Sequence, residues 1–339
     1  MCRPGDCLST IRQQSRPRRL SQLLHDCPFE HLALRIGTRS SLLALTQTGT
    51  VADDLRRLTG RPVEIVPITT DGDVLTGSLS QMGGTGVFVT ALRAALLDDR
   101  CDVAVHSLKD LPTAGVAGLQ HVSPVRQDPR DALCSRAGHR LADLPHGARV
   151  GTGSPRRAAQ LRLVRPDLDV VDIRGNIDTR LGRVHPETGD LDAVVLAAAG
   201  LNRIGREHAI TELISVTDMA PAPGQGALAV ETRNTLLADD PVVRRAFDDL
   251  DDPATTLSVL AERALLARLE AGCAAPVGTH ASVSDGLLTL HAVVARPDGS
   301  EQLRHQQSVE VADTSTVEAV TLGEAVADHF LALGAADFI

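Results

Sequence analysis

Short apolar runs recur along this chain, separated by longer stretches in which apolar residues return every three or four positions. Leu32-Ala33-Leu34-Arg35-Ile36 and Val63-Glu64-Ile65-Val66-Pro67-Ile68 read as strands, and Cys101-Asp102-Val103-Ala104-Val105-His106 as a third. A helix lies between the first two, capped by Ser40 and Ser41 and running to about Leu58. Gly83, Gly84 and Gly86 mark a flexible loop before a second helix, Val87 to about Leu97. Strands alternating with helices predict a parallel, doubly wound α/β sheet.

The same rhythm then restarts. Ala148-Arg149-Val150-Gly151, Leu168-Asp169-Val170-Val171-Asp172-Ile173 and Leu191-Asp192-Ala193-Val194-Val195-Leu196 are strand patterns. A helix with Ser154 at its N-cap and Pro155 at its first position runs to about Val164. Gln127-Asp128-Pro129-Arg130-Asp131 reads as a crossing between two domains, and Pro221-Ala222-Pro223-Gly224-Gln225-Gly226 as a second crossing, back to the strand Ala227-Leu228-Ala229-Val230. A chain that crosses twice makes a hinged cleft. After about Asp252 comes a smaller α+β unit: a helix over roughly Thr255 to Leu269, strand patterns at Leu287–Val294 and Gln307–Val311, and a last amphipathic helix over about Thr316 to Leu333. The predicted organisation is domain 1 over 31–127 and 222–247, domain 2 over 128–221, and a C-terminal domain over 248–339.

Composition narrows the reading. A length of 339 residues suits two or three cores rather than one. With no Trp and no Tyr, the cores must be aliphatic. The formal net charge of -9 disfavours bulk attraction to nucleic acid or to an anionic membrane, and no apolar run is long enough to span a bilayer. The six cysteines form no CxxC pair, which argues against a zinc site or a disulfide framework and for a reducing cytoplasm. Residues 1–30 are rich in arginine but lack an apolar core segment, so they do not read as a secretory signal. Asp6, Asp26 and Glu30 interrupt a transit-peptide pattern, and the expectation is a disordered tail or an overlong start.

Two features suggest chemistry. Cys273 sits in Leu269-Glu270-Ala271-Gly272-Cys273-Ala274-Ala275-Pro276, flanked by small residues that leave a thiol poorly shielded. Its own context allows an inert small residue, a nucleophile or a covalent anchor. The second feature is repetition: Arg39, Arg156, Arg157, Arg174, Arg180 and Arg203 lie mostly at strand-to-helix junctions, where backbone N–H groups also favour anions. Arginine forks take carboxylates in pairs of hydrogen bonds. An exposed thiol together with these arginines suggests a covalently held polyanion. Lys109-Asp110 follows a strand, and ligands of open α/β sheets bind beyond strand C-termini. His106 reads as a packed strand residue, and no His, Asp or Glu set has metal-ligand spacing.

Seven segments then occur in one order. They are Arg35-Ile36-Gly37-Thr38-Arg39-Ser40-Ser41, Gly86-Val87-Phe88-Val89, Ala104-Val105-His106-Ser107-Leu108-Lys109-Asp110-Leu111-Pro112, Gly151-Thr152-Gly153-Ser154-Pro155-Arg156-Arg157, Arg174-Gly175-Asn176-Ile177-Asp178-Thr179-Arg180, Pro223-Gly224-Gln225-Gly226 and Leu269-Glu270-Ala271-Gly272-Cys273. In this ordered set the chain resembles the porphobilinogen deaminase, or hydroxymethylbilane synthase, family over about residues 32–335. The resemblance implies two domains like type II periplasmic binding proteins and a third, smaller one. It implies a dipyrromethane cofactor carried on Cys273 through a thioether, with Asp110 as the central catalytic group and Lys109 beside it. It implies that Thr152, Ser154, Arg156, Arg157, Ser107, Lys109 and Asp110 hold the cofactor. Arg39, Ser41, Asp73, Arg174, Arg180, Arg203 and Gln225 would line the substrate site. Porphobilinogen as substrate, a linear tetrapyrrole as product, a monomeric state and hand-off to uroporphyrinogen-III synthase are the partners it implies.

The chemistry agrees with that set. Loss of ammonia from porphobilinogen leaves a methylene-pyrrolenine cation, and a carboxylate such as Asp110 both accepts pyrrole N–H bonds and stabilises the cation. Each added ring brings more carboxylates, hence the need for many cations. The chain departs from many relatives at Gln81 and Thr85, where lysines precede the phenylalanine, and at Ala274 and Ala275, which replace bulkier residues. Two rivals stand beside this reading. A non-catalytic anion-binding receptor module would need neither Cys273 nor Asp110. A thiol hydrolase would need a base for Cys273, and the nearest histidine, His280, has no obvious orienting partner.

Overall fold

Strand β1 (Leu34–Thr38) buries Leu34 and Ile36 and pairs in parallel with β2 (Val63–Pro67) and β3 (Val103–Ser107). These elements belong to a computed structural model that describes residues 33–68, 86–272, 275–311 and 316–339. Helix α1 (Leu42–Thr59) joins β1 to β2; Ser41 accepts the Ala44 N–H at its N-cap, and Gly60 ends it with φ of 71°. The helix presents Val51, Ala52 and Leu55 to one face of the sheet, where Phe247 and Leu250 also pack. Helix α2 (Gly86–Leu97) covers the other face with Leu92, Ala95 and Leu96. The expected doubly wound sheet is therefore present, but not purely parallel. After β4 (Leu119–Val122) the chain leaves, and it returns much later to insert an antiparallel strand between β3 and β4.

The second sheet repeats the plan. It begins with β5 (Asp131–Ser135), then β6 (Arg149–Gly151), α3 (Pro155–Val164), β7 (Asp169–Val171), α4 (Ile177–Gly182), β8 (Ala193–Ala197), α5 (Ala198–Arg203) and the edge strand β9 (Glu212–Leu213). The returning strand of the first sheet is β10 (Leu228–Arg233). The two sheets have orders β2-β1-β3-β10-β4 and β7-β6-β8-β5-β9, so each places its first three strands in parallel and one antiparallel strand beside the third. The chain passes between the sheets twice, along 123–130 and 214–227, and the passages touch where the Gln127 N–H donates to the Gly226 carbonyl at 3.3 Å. Gly226 has φ of +91°, and a side chain there would begin 2.4 Å from the Gln127 carbonyl oxygen.

Helices α6 (Asn234–Asp239) and α7 (Pro241–Leu250) return to the first core. The third sheet is antiparallel, β11 (Val277–Ser284), β12 (Leu287–Ala295) and β13 (Gln302–Glu310), covered by α8 (Pro253–Arg268) and α9 (Thr316–Ala332) around Leu257, Leu265, Leu290, Val326 and Phe330. The cores are aliphatic, as the missing Trp and Tyr demand; Phe247 and Phe330 are the aromatic rings among the largest fully buried side chains. Asp131, expected within a crossing, is instead the first residue of β5, and β4, β9, β11, α4, α5, α6 and α7 were not evident in the sequence pattern. No helix among the described residues is long and apolar enough to cross a membrane.

Candidate active site

The chain leaves β3 at Ser107 in a single tight turn, Leu108–Asp110, closed by the Leu111 N–H on the Leu108 carbonyl at 3.0 Å. Leu108 is fully buried and pins the turn, leaving Lys109 and Asp110 half-buried at the strand's carboxyl end. Gly224, with φ of +74°, backs against it: a side chain there would start 3.2 Å from Leu108 and 3.4 Å from the Lys109 nitrogen. Arg263 on α8 donates to the carbonyls of Leu111 at 2.8 Å and Pro112 at 2.6 Å, so a guanidinium from the third unit clasps the turn. The Ser107 hydroxyl is exchanged with the Gln47 amide, at 3.1 and 3.3 Å.

The corresponding end of the second sheet carries a buried ion cluster. Ser154 caps α3 by accepting the Arg157 N–H at 3.5 Å, and Pro155 at the first helical position sets Arg156 and Arg157 in the first turn. Thr152, buried below, accepts the Ser154 N–H at 3.2 Å. Both guanidiniums turn inward onto Asp131, which is 0% exposed: Arg156 Nη2 reaches Oδ2 at 2.8 Å, and Arg157 Nε reaches Oδ1 at 2.9 Å. Arg156 also donates to the Ala220 carbonyl at 2.5 Å, Arg157 to the Val195 carbonyl at 3.1 Å, and Gln225 Nε2 to Asp131 Oδ1 at 2.9 Å. The Arg156 Nε is buried with no hydrogen-bond partner among the described residues.

Charge couples the cluster to the turn. Burial opposes ionisation of Asp131, but Arg156 and Arg157, with hydrogen bonds from Gln225 and Arg157, outweigh it and hold the carboxyl down at about 2. Burial pulls the Lys109 ammonium down to about 8; Arg157 and Arg156 act in the same sense, while Asp110 and Asp131 oppose them. Arg180, on α4, is depressed first by burial and then by Arg157 and Arg174. Lys109, Asp110, Asp131, Arg156, Arg157, Arg174 and Arg180 thus form one electrostatic neighbourhood spanning both sheets.

The remaining expected residues occupy its margins. Arg174 makes an exposed pair with Asp172 at 3.1 Å, the kind of contact a ligand displaces at small cost. Arg203, at the end of α5, donates to the Gly226 carbonyl at 2.7 Å; burial lowers it to about 10, and among the described residues no carboxylate pairs with it. Arg180 likewise has a carbonyl partner, Gly175 at 2.8 Å, and no paired carboxylate among the described residues. Arg39 is half-buried at the junction of β1 and α1, beside the N-cap Ser41. Cys273, Ala274, Asp73, Gln81, Thr85, Gly83, Gly84 and residues 1–32 lie outside the described residues. Just before Cys273, α8 ends with Glu270 at φ of 51°, its N–H on Ala267 and the Ala271 N–H on Leu266, a left-handed stop. No group of three or more His, Cys, Asp or Glu among the described residues is placed to hold a metal.

Three structural contributors escaped sequence reasoning: Asp131, Arg263 and Glu262. Glu262 is fully buried on α8 and binds Arg126 from one crossing at 2.7 and 3.1 Å, the Gly224 N–H from the other at 2.6 Å, and the Ala281 N–H of β11 at 2.8 Å. The available signal was a charged pair, Glu262-Arg263, inside the otherwise small and apolar run Val259-Leu260-Ala261 to Ala264-Leu265-Leu266.

Fold and site together define a protein of two doubly wound α/β sheets, with buried arginines at the strand ends of one, a charged turn at a strand end of the other and an added unit that braces that turn. The family profile described as porphobilinogen deaminase, dipyromethane cofactor binding domain, matches residues 34–240, and the one described as porphobilinogen deaminase, C-terminal domain, matches residues 256–332. The porphobilinogen deaminase of Leifsonia xyli subsp. xyli is 54% identical over 322 residues, covering 93% of this chain and 97% of its own. Porphobilinogen deaminase 1 of Streptomyces coelicolor is 52% identical over 314 residues, covering 90% and 96%. Among solved structures, the alkanesulfonate-binding protein SsuA from Xanthomonas axonopodis pv. citri aligns over 90% of this chain and 94% of its own at 15% identity, with a TM-score of 0.37. The chain belongs to the porphobilinogen deaminase family.

Proposed function

We propose that this protein joins four porphobilinogens head to tail, releasing one ammonia per joined unit, and that one water then frees the chain as hydroxymethylbilane, in tetrapyrrole biosynthesis. The observation that carries the reading is a row of cations: Arg156 and Arg157 act on Lys109 beside Asp110, and Arg180 and Arg174 continue the row from Arg157. In this reading 31–127 with 222–247, 128–221, and 248–339 act as three units, the first two hinged about the cleft. The protein works as a cytoplasmic monomer and hands its product to uroporphyrinogen-III synthase.

The residues fit a resident dipyrromethane on Cys273. Arg180 and Arg203 lack carboxylate partners among the described residues, as a site for acetate and propionate groups requires. When bound, that group supplies the free pyrrole α-carbon to which the first porphobilinogen is joined. Arg156, Arg157, Thr152, Ser154 and Ser107 face the cofactor side; Arg39, Ser41, Asp73, Arg174, Arg180, Arg203 and Gln225 receive the incoming substrate. Asp110 accepts pyrrole N–H bonds and stabilises the cation left when the substrate's aminomethyl group departs as ammonia. Lys109, titrating at about 8, stays largely charged at neutral pH and balances that carboxylate.

Intact mass spectrometry tests the assignment. Wild type should be heavier than its sequence by one dipyrromethane, a mass that survives denaturation, and Cys273→Ser should match its bare sequence. An active wild type of unmodified mass would overturn it.

A further inference from the structure

The cleft's two most deeply buried cations do not face outward as independent carboxylate receivers. Arg156 and Arg157 are 3% and 5% exposed, and Asp131, at 0%, takes a hydrogen bond from each. A second oxygen contact, Arg157 Nη2 to Asp131 Oδ1 at 2.8 Å, makes the Arg157 contact a fork on one oxygen. Gln225, itself 1% exposed, locks the acid from the crossing side, donating to Oδ1 at 2.9 Å and to the Pro129 carbonyl at 2.7 Å. Asp131 is held at the very start of β5, opposite Ala197, the last residue of β8. Its backbone is therefore fixed by the sheet while its side chain reaches the cleft end.

We propose that Asp131 is a positioning residue for the reaction: the shared internal counter-ion that fixes the planes of Arg156 and Arg157 and balances the charge facing Lys109. This rests on the deaminase reading above. Displacing Asp131 by a ligand carboxylate would leave a buried, unpaired anion, which is far costlier than leaving it in place. Asp131 therefore stays, and ligand carboxylates meet only the guanidinium edges that Asp131 leaves over. Without it, two guanidiniums and an ammonium would repel one another around an empty centre. The charges acting most on Lys109 are Asp110 on its own turn, Arg156 and Arg157 on α3, and Asp131 on β5, and the Arg263 guanidinium on α8 clasps the carbonyls of the same turn. Of these, Asp110 and Asp131 favour its charged form and Arg156 and Arg157 oppose it.

The test compares Asp131→Asn and Asp131→Glu with wild type, all as cofactor-loaded protein. Asp131→Asn keeps the shape and removes the charge. Its kcat/KM should fall on the order of ten- to a hundred-fold. The alkaline limb of its pH profile should also move to lower pH by roughly one unit, because Lys109 loses an attractive carboxylate. Asp131→Glu keeps the charge but shifts the oxygens; kcat/KM should fall while the alkaline limb stays put. A residue that merely stabilised the fold would lower the unfolding midpoint and leave both limbs unmoved. Should Asp131→Asn fail to fold, Asp131→Glu decides alone: wild-type kcat/KM in that variant overturns the proposal. So does a folded, loaded Asp131→Asn with wild-type kcat/KM and pH limbs. The wild-type mass is read first; a wild type without dipyrromethane would sink the deaminase reading itself, whereas a loaded, active wild type with indifferent Asp131 variants sinks only this inference.

Discussion

The two doubly wound sheets share a strand order and differ in what they do with it. Each buries a carboxylate on the antiparallel strand beside its third, Glu231 on β10 and Asp131 on β5. Glu231 lies mid-strand opposite Ala104, held by Arg93 at 2.9–3.1 Å with His106 Nε2 at 3.2 Å. Asp131 lies at the strand's first residue, level with the end of β8. The exits of the third strands differ as well. The chain leaves β8 straight into helix α5, whose turns consume the backbone donors, whereas it leaves β3 through the short turn that frees Lys109 and Asp110. A few residues of offset along a strand thus decide whether a buried ion pair braces a sheet or sets up a site.

The strongest way to break this comparison is at the exit of β3. Asp110→Ala should cut turnover on the order of 10³-fold, because it removes the carboxylate that meets the developing cation. Its unfolding free energy should stay within about 0.5 kcal/mol of wild type, since the side chain is half-buried and has no ion pair of the Glu231 kind among the described residues. Steady-state kinetics with denaturant unfolding decide it; a loaded variant turning over near the wild-type rate removes Asp110 from the chemistry.

Next comes the sheet carboxylate. Burial opposes ionisation of Glu231, yet hydrogen bonds and charge from His106 and Arg93 hold its carboxyl down at about 2, well below an ordinary glutamate. A depressed carboxyl adds stability above its unfolded pKa, and that stability is lost as pH falls toward the folded value. Glu231→Gln should therefore cost about 3 kcal/mol at pH 7, and the gap from wild type should close between about pH 4.5 and pH 2. Urea melts across pH measure it. A gap that does not narrow in acid would show that shape, not charge, makes the difference.

The smallest effect belongs to the exit of β8. Arg203 has a carbonyl partner but no paired carboxylate among the described residues, so Arg203→Ala should raise KM for porphobilinogen about ten-fold with kcat held within about two-fold. A fall in kcat at unchanged KM would place chemistry, rather than binding, at that exit.

How much of this was legible depended on range. Strands buried on both faces, such as Val103–Ser107 and Ala193–Ala197, stand out as apolar runs, and the Ser41 and Ser154 caps announce their helices. β5 was hidden because it opens on an acid after Pro129-Arg130, which locally reads as a turn. β11 was hidden because its Gly-Thr-His-Ala-Ser-Val-Ser run is mostly small and polar. The arginines at strand junctions were visible as a repeating residue type at a repeating location. Asp131 was not, because its partners lie 25, 26 and 94 residues further on and meet it only through sheet register. Glu262 and Arg263 left only a faint trace, a charged pair in an apolar run, because their partners in the crossings and the Leu108–Asp110 turn are also distant in sequence.

Helix α8 places Glu262 and Arg263 at one height, and Cys273 follows its last residue, Arg268, by five positions in the sequence. Each residue in a helix advances the chain about 1.5 Å and turns it about 100°. Dropping or adding a single residue between Arg263 and Leu269 would swing whatever follows to another side of the molecule while the two charged residues stayed engaged. Substitutions along that stretch are open to drift, but changes of length are not. In lineages descended from this chain, insertions and deletions should collect instead in exposed connections such as 113–115, where Gly115 has open space around it.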